Sequence, residues 1–333
     1  MQRDFISTLE LSDSEWTEIL SLARDGKECS WAKQSRSLCG KRIALVFLNP
    51  SLRTRASFQV GIGMLGGQSV VLEPGKESWA LEFGDGVKMD GGAPEHIKEF
   101  CGVLSRYFDL VCVRAFAKLE SWQEDSHDFA MAAFRKYLSV PLISMESALW
   151  HPCQGLADAL TLKETFGESL REKTFVLSWA PHVKALPMAV PNSALLTAAR
   201  LGMQVRLACP RGFELHQDIL GKVEEVCKTQ GRSLQISNAQ SPALDGADVV
   251  YAKSWAPASF LGRDFDQASF SNWQLGSEAL HKHPNLRYMH CLPVRRNVEL
   301  SGEVLDSKHS LHLDQAENRL HAQNALMLKI FGQ

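Results

Sequence analysis

Two parallel-sheet α/β domains, with a C-terminal helix returning to the first, are expected from three features of the sequence. Its 333 residues exceed one ordinary domain, at roughly 100–200 residues each. Short β-rich apolar runs alternate with longer stretches of helical period, the pattern of a parallel sheet covered by helices on both faces. Hydrophobic residues make up 45% and charged residues 22%, which excludes a disordered or fibrous chain.

In chain order, strands are expected at 42–48, 69–72, 109–113, 174–178, 204–209, 233–237, 248–252 and 287–290. Helices are expected near 53–65, 94–106, 152–166, 187–201, 214–228 and 315–330. Pro50 stops the first strand, and Ser51 can cap the helix after it, because a serine oxygen accepts from a free N–H of the first turn. Pro94 and Pro152 each stand where a proline can open a helix. Ala316, Leu320, Met327 and Phe331 recur at helical spacing in the last element. The helix opening at His151-Pro152 has strand–helix units on both sides. It divides the chain into domains 1–148 and 149–314, with 315–333 joining the first.

Lys and Arg number 36 against 38 Asp and Glu, a net charge of −2. Near neutrality gives neither nucleic acid nor an anionic membrane a reason to bind, so local Arg and Lys must meet any bound anion. No run approaches the ~18 apolar residues of a membrane span, and the start lacks a signal-peptide core. A cytoplasmic protein is expected. None of the eight cysteines is spaced C-x-x-C, which leaves zinc and thioredoxin readings without support and suggests reduced thiols.

Gly61, Gly63 and Gly66 match G-x-G-x-x-G, but late in a helical segment, about a dozen residues after the strand. A dinucleotide-binding loop must follow its strand immediately, so close helix packing is preferred over a nicotinamide cofactor. More informative is the run Asn49-Pro50-Ser51-Leu52-Arg53-Thr54-Arg55, directly after the first strand. A helix N-terminus offers free N–H groups to a phosphate, and two hydroxyls and two guanidinium groups stand within five residues of it. Alone, this would be a capped helix with solvated arginines. Three further segments accompany it: V-R-A-F with Arg114, H-P-C-Q from His151 to Gln154, and H-C-L-P-V-R-R-N from His290 to Asn297. Each ends a strand or opens a helix, where open α/β sheets bind ligands.

Together these segments resemble the aspartate/ornithine carbamoyltransferase family over nearly the whole chain. The resemblance implies a carbamoyl phosphate domain, an amine-substrate domain, no metal, no organic cofactor, and a homotrimer with shared active sites. It also implies a place in arginine biosynthesis. Carried over, Ser51, Leu52, Arg53, Thr54 and Arg114 would bind the phosphate, and His151, Pro152, Cys153, Gln154, Cys291 and Leu292 the carbamoyl end. Arg319 completes that shell, and Trp79 matches a position that family members reach across a subunit boundary. Thr54, Arg114 and His151 can donate to the oxygen of a tetrahedral intermediate, and the leaving phosphate can take the amine proton. Cys291 lines the site; a nucleophile would need an adjacent activating base.

The chain reads D-V-V-Y-A-K-S-W where ornithine enzymes carry a second Asp for the free α-amino group, and their S-M-G loop is absent. A cation at Lys253 repels an α-ammonium and suits a carboxylate, so the expected substrate is an ornithine acylated on its α-nitrogen. Pro94 stands where the acetyl type of this family carries Glu and the succinyl type Pro. The five-residue spacing from Glu146 to His151 and Val294 before Arg295 also resemble the succinyl type. N-succinyl-L-ornithine is therefore expected, held by Pro94, Glu146, His182, Lys253 and Arg295. The alternative is N-acetyl-L-ornithine, whose enzymes the P-G-K-E-S-W stretch resembles. A catalytically silent ligand-binding paralogue is the remaining alternative.

Overall fold

The computed structural model describes residues 4–332 apart from 168 and 262–266; residues 1–3 and 333 of the expected first domain lie outside them. The chain forms two units. The first holds Met1–Ala117, Glu124–Cys153 and Arg319–Gln333, and the second Lys118–Gln123 and Gln154–Asn318. The chain thus changes unit at 117/118, 123/124, 153/154 and 318/319, where the sequence leads one to draw two lines, at 148/149 and 314/315.

The first unit opens with α1 (Asp13–Glu28), started by a capping box between Ser12 and Glu15. There follow β1 (Arg42–Phe47), α2 (Leu52–Met64), β2 (Gln68–Leu72), β3 (Leu81–Glu82), β4 (Glu95–His96), α3 (Ile97–Tyr107) and β5 (Leu110–Arg114). The short α4 (Trp122–Asp125), whose first two residues belong to the second unit, precedes α5 (Phe129–Tyr137) and β6 (Leu142–Glu146); α6 (Pro152–Phe166) starts in this unit and belongs to the second from Gln154 on. The main sheet has the parallel order β2-β1-β5-β6, and β3 pairs separately with β4. Every residue of β5 and β6 is buried, as parallel strands covered on both faces require. Phe100, Leu104, Met131 and Phe134, from α3 and α5, cover Ala44, Val46, Val111 and Val113 on one face. Each such side chain contributes about 1.5–3 kcal/mol by leaving water.

The second unit contains β7 (Thr174–Trp179), α7 (Ala189–Arg200), β8 (Gln204–Ala208), α8 (Gln217–Thr229), β9 (Leu234–Ser237), α9 (Gln240–Leu244) and β10 (Val249–Lys253). After these come α10 (Ser277–Lys282), β11 (Arg287–Met289), α11 (Gly302–Leu305) and α12 (His312–Ile330), which belongs to the first unit from Arg319 on. Its parallel sheet has the order β11-β10-β7-β8-β9. Trp179 and Trp255, both fully buried, donate their indole N–H to the Trp255 carbonyl (3.0 Å) and the Phe213 carbonyl (2.8 Å), so neither leaves a polar atom unpaired.

In each sheet the chain first winds outward and then returns to the other side of its starting strand. The switch points lie between β1 and β5 and between β7 and β10. Crevices at such points are where open sheets bind ligands.

Each expected strand is present, with ends displaced by at most one residue, whereas α1, α5 and β6 go unanticipated. One proline differs from expectation. Pro94 does not open a helix, because Glu95 and His96 pair as β4 and α3 begins at Ile97, where His96 Nδ1 accepts from Lys98 N (3.2 Å). The glycine match is helix packing: a Cβ on Gly61 would lie 2.1 Å from Asn324 Oδ1, while Gly63 faces open space. Among the described residues, no helix is long and apolar enough to cross a membrane.

Candidate active site

In the first unit, β1 delivers the chain to the N-terminus of α2. Ser51 is extended there, and its Oγ accepts from Thr54 N at 3.3 Å. Asn49 Oδ1 accepts from Phe116 N (2.7 Å), which ties this turn to the segment after β5. Thr54 is 1% exposed, and its Oγ1 accepts from Arg319 Nη2 at 3.1 Å. Gln323 supports that arginine: with its amide turned to satisfy its neighbours, Oε1 accepts from Arg319 Nε at 3.0 Å. Leu52 exposes its side chain, so only its backbone N–H is available to an anion at this helix end.

Arg114 ends β5 and stands in register with Phe47 on one side and Glu146 on the other. Its guanidinium forms a buried ion pair with Glu146 and lies 4.5 Å from the Phe116 ring centre. His151 Nε2 lies 3.3 Å from the same Glu146 oxygen. Burial, then the charges of Arg319, Arg114 and Arg53, pull the His151 ring well below the ordinary imidazole value. A neutral ring carries one proton, and a carboxylate can only accept, so that proton sits on Nε2. Burial pushes the Cys153 thiol up to about 12, and its Sγ lies 3.4 Å from the Ser144 carbonyl. Such a thiol is no nucleophile at neutral pH.

Three expected site residues are not placed with this cluster. Arg55 is exposed and pairs with Glu73 at 3.5 Å. Trp79 is 68% exposed on the segment between β2 and β3, and Pro94 is exposed before β4. Glu146, expected beside the acylornithine, forms the ion pair with Arg114 and faces His151.

In the second unit, Lys253 ends β10 opposite Trp179 and is 7% exposed. His182 Nε2 accepts from Arg295 Nε (3.1 Å), and its Nδ1 lies 2.9 Å from the Lys184 carbonyl. Burial lowers this ring below its ordinary value, opposed by the Lys184 carbonyl and Glu299 and aided by the Lys253 and Arg295 charges. After β11, His290 is fully buried; Nε2 lies 3.2 Å from Glu299 Oε1, and Nδ1 accepts from Leu292 N at 3.0 Å. Burial keeps that ring neutral, and both its nitrogens are engaged, so it is not a free base. Burial works against the Glu299 charge too, yet the His290 ring, the Lys253 ammonium and the Arg295 N–H hold it at about 2. Cys291 is half-buried, and Leu292 adopts the left-handed conformation with φ 57°.

Glu299 and Gln323 are both fully buried and were not apparent from the motifs. Spacing alone does not reveal a partner that acts through another side chain. Among the described residues, no group of three or more His, Cys, Asp or Glu is placed to hold a metal ion.

The carbamoyl-P binding domain of the aspartate/ornithine carbamoyltransferase family matches residues 3–164, and its Asp/Orn binding domain matches residues 188–330. An N-acetylornithine carbamoyltransferase of Xanthomonas campestris pv. campestris is 43% identical over 337 residues, covering 99% of this chain and 98% of the relative. An N-succinylornithine carbamoyltransferase of Bacteroides fragilis is 35% identical over 281 residues, 84% of each chain. An acetylornithine transcarbamylase complexed with acetylcitrulline superposes with a TM-score of 0.95 at 43% identity, over 99% of this chain and 100% of the other. A glutamate-to-proline mutant of an N-acetyl-L-ornithine transcarbamylase, complexed with carbamyl phosphate and N-succinyl-L-norvaline, gives the same score and identity over 98% and 99%.

Proposed function

Because the chain belongs to the aspartate/ornithine carbamoyltransferase family and is an N-acylornithine carbamoyltransferase, we propose that its first unit seats carbamoyl phosphate and its second the acylornithine. The observation that carries this assignment is the convergence of Ser51, Thr54, Arg114, His151 and Arg319 at one sheet switch point. Free N–H groups of α2 and the Arg53 and Arg114 guanidinium groups take the phosphate. Thr54, Arg114 and His151 stabilise charge growing on the carbonyl oxygen as the side-chain amine attacks. The departing phosphate accepts the amine proton. Lys253, His182 and Arg295 meet the carboxylate and acyl end of the second substrate.

The acyl group proposed is acetyl, which reverses the expectation drawn from Pro94. The N-acetylornithine relative is 43% identical across nearly the full chain, whereas the succinyl relative reaches 35% over 84%. One observation favours N-succinyl-L-ornithine as a second reading: proline stands at position 94, and an acetyl enzyme with glutamate replaced by proline holds a succinyl ligand. The exposed Trp79 supports a homotrimer in which a neighbour covers that surface, to be tested by native mass spectrometry.

The deciding experiment supplies carbamoyl phosphate with ornithine, N-acetylornithine or N-succinylornithine and measures citrulline-type product. Fastest turnover of acetylornithine is expected. A preference for succinylornithine moves the assignment to the second reading, and turnover of free ornithine alone overturns both.

A further inference from the structure

We infer that Gln323 is a positioning residue that holds the Arg319 guanidinium against Thr54 and thereby aims the Thr54 hydroxyl at the carbonyl oxygen of carbamoyl phosphate. The inference deepens the proposed function and rests on its placement of Thr54 at that oxygen. Two residues of α2 and two of α12, all four within the first unit, close a ring of hydrogen bonds. Thr54 and Ser57 lie three apart and Arg319 and Gln323 four apart, so each pair shares one face of its helix. Gln323 Oε1 accepts from Arg319 Nε at 3.0 Å and from Nη2 at 3.1 Å, while its Nε2 donates to Ser57 Oγ at 2.8 Å. Ser57 Oγ donates to the Thr54 carbonyl at 3.3 Å, and Arg319 Nη2 donates to Thr54 Oγ1 at 3.1 Å. Thr54, Arg319 and Gln323 are at most 4% exposed.

The direction of each bond follows from what each group can offer. A guanidinium has donors only and stays charged, so the Gln323 amide must turn its oxygen to Arg319 and its nitrogen to Ser57. Ser57 accepts that N–H and gives its own proton to the Thr54 carbonyl. Two bonds to one amide oxygen fix the plane of the guanidinium, which a single bond to Thr54 would leave able to swing. Thr54 Oγ1 accepts from this cation. The cation has no lone pair to take the hydroxyl proton in return, so that proton must point elsewhere. A hydroxyl that accepts a charge-assisted bond is also polarised into a better donor. The acceptor that the proposed reaction brings to it is the carbonyl oxygen, whose negative charge grows as the amine attacks. A donor oriented in advance therefore acts more strongly in the transition state than on the bound substrate. Gln323 acts on the reaction only through Arg319 and Thr54.

The test places Gln323→Met in the full-length wild-type protein and in Thr54→Val, and measures kcat and the inhibition constant of inorganic phosphate. Methionine fills the same buried space and removes both polar atoms of the amide. In the wild-type background kcat is expected to fall about tenfold, the worth of one oriented hydrogen bond. The inhibition constant of inorganic phosphate should stay within roughly twofold, because phosphate alone brings no carbonyl oxygen to the Thr54 hydroxyl. In Thr54→Val, where that hydroxyl is already gone, the same substitution should change kcat by less than roughly twofold. Equal losses of kcat in the two backgrounds, or phosphate affinity that falls as far as kcat, would reveal only general support of the helix contact and overturn the inference. An unchanged kcat in the wild-type background overturns it as well. Should Gln323→Met not fold, Ser57→Ala removes the acceptor that holds the far end of the amide and is run through the same two backgrounds. A fall in kcat of about threefold is then expected only where Thr54 is present, and a fall in both backgrounds or in neither overturns the inference. Wild-type protein that fails to turn over carbamoyl phosphate with any ornithine derivative would instead strike the proposed function itself.

Discussion

Arg114 and Glu146 end neighbouring strands and stand opposite each other in the β5–β6 register, so a buried guanidinium is neutralised by a buried carboxylate. The pair sits where an anion is proposed to bind. Removing one member of a buried pair leaves the other uncompensated, at a cost of roughly 3 kcal/mol. Glu146→Gln should therefore lower the thermal midpoint. Inorganic phosphate should restore more stability to the variant than it adds to the wild type, because it supplies the missing negative charge. An equal phosphate shift in both proteins would show that Arg114 does not meet the anion.

Acid sensitivity follows from the imidazoles. His151, His182 and His290 all lie below the ordinary value of 6.5 in the folded state, chiefly through burial. As pH falls, the unfolded chain takes up these protons first, so stability is full above about pH 6.5 and is lost below it. Glu299, held at about 2 against an ordinary 4.5, adds a second loss as pH falls between those values. The thermal midpoint should hold steady from about pH 7 to 8 and decline below about 6.5. His151→Gln should flatten the upper part of that decline, and an unchanged slope would mean the ring protonates freely in the folded protein.

Acyl selectivity is predicted to respond to residue 94. A carboxylate introduced by Pro94→Glu repels the distal carboxylate of a succinyl group and leaves an acetyl group undisturbed. The ratio of kcat/KM for succinylornithine over acetylornithine should fall at least tenfold, about 1.4 kcal/mol. A ratio that does not change would place the acyl end elsewhere.

Gly61→Ala tests the helix contact behind the glycine match. Its methyl would overlap the Asn324 amide, and overpacking of this kind costs about 1–3 kcal/mol. The variant should unfold earlier and bind phosphate more weakly, because α12 also carries Arg319. Gly63→Ala, which meets open space, should leave both properties unchanged.

Much of this molecule was legible in its residues, for identifiable reasons. The strands around the sheet centres read clearly because their apolar runs are continuous, and the start of α2 read clearly because Pro50 stops the strand and Ser51 can cap the helix. β6 escaped because Leu-Ile-Ser-Met-Glu mixes polar with apolar residues, although tertiary packing buries all five. The Arg114–Glu146 pair was not legible, since a sequence does not tell which cation a carboxylate will meet. Gln315 and Glu299 are paired with Asp158 and His290, and spacing alone makes them look like ordinary polar residues.

Thr54 and Arg319 are bonded across 265 residues of sequence, which has a bearing on how the protein is made. After Thr54 a ribosome adds 265 residues before the arginine that anchors it is in place. The N-terminal half can emerge, and its sheet can begin to pair, while the Thr54–Arg319 bond is still missing. The Thr54 anchor therefore forms only once Arg319 has been made, so a chain cut short before Arg319 cannot assemble it.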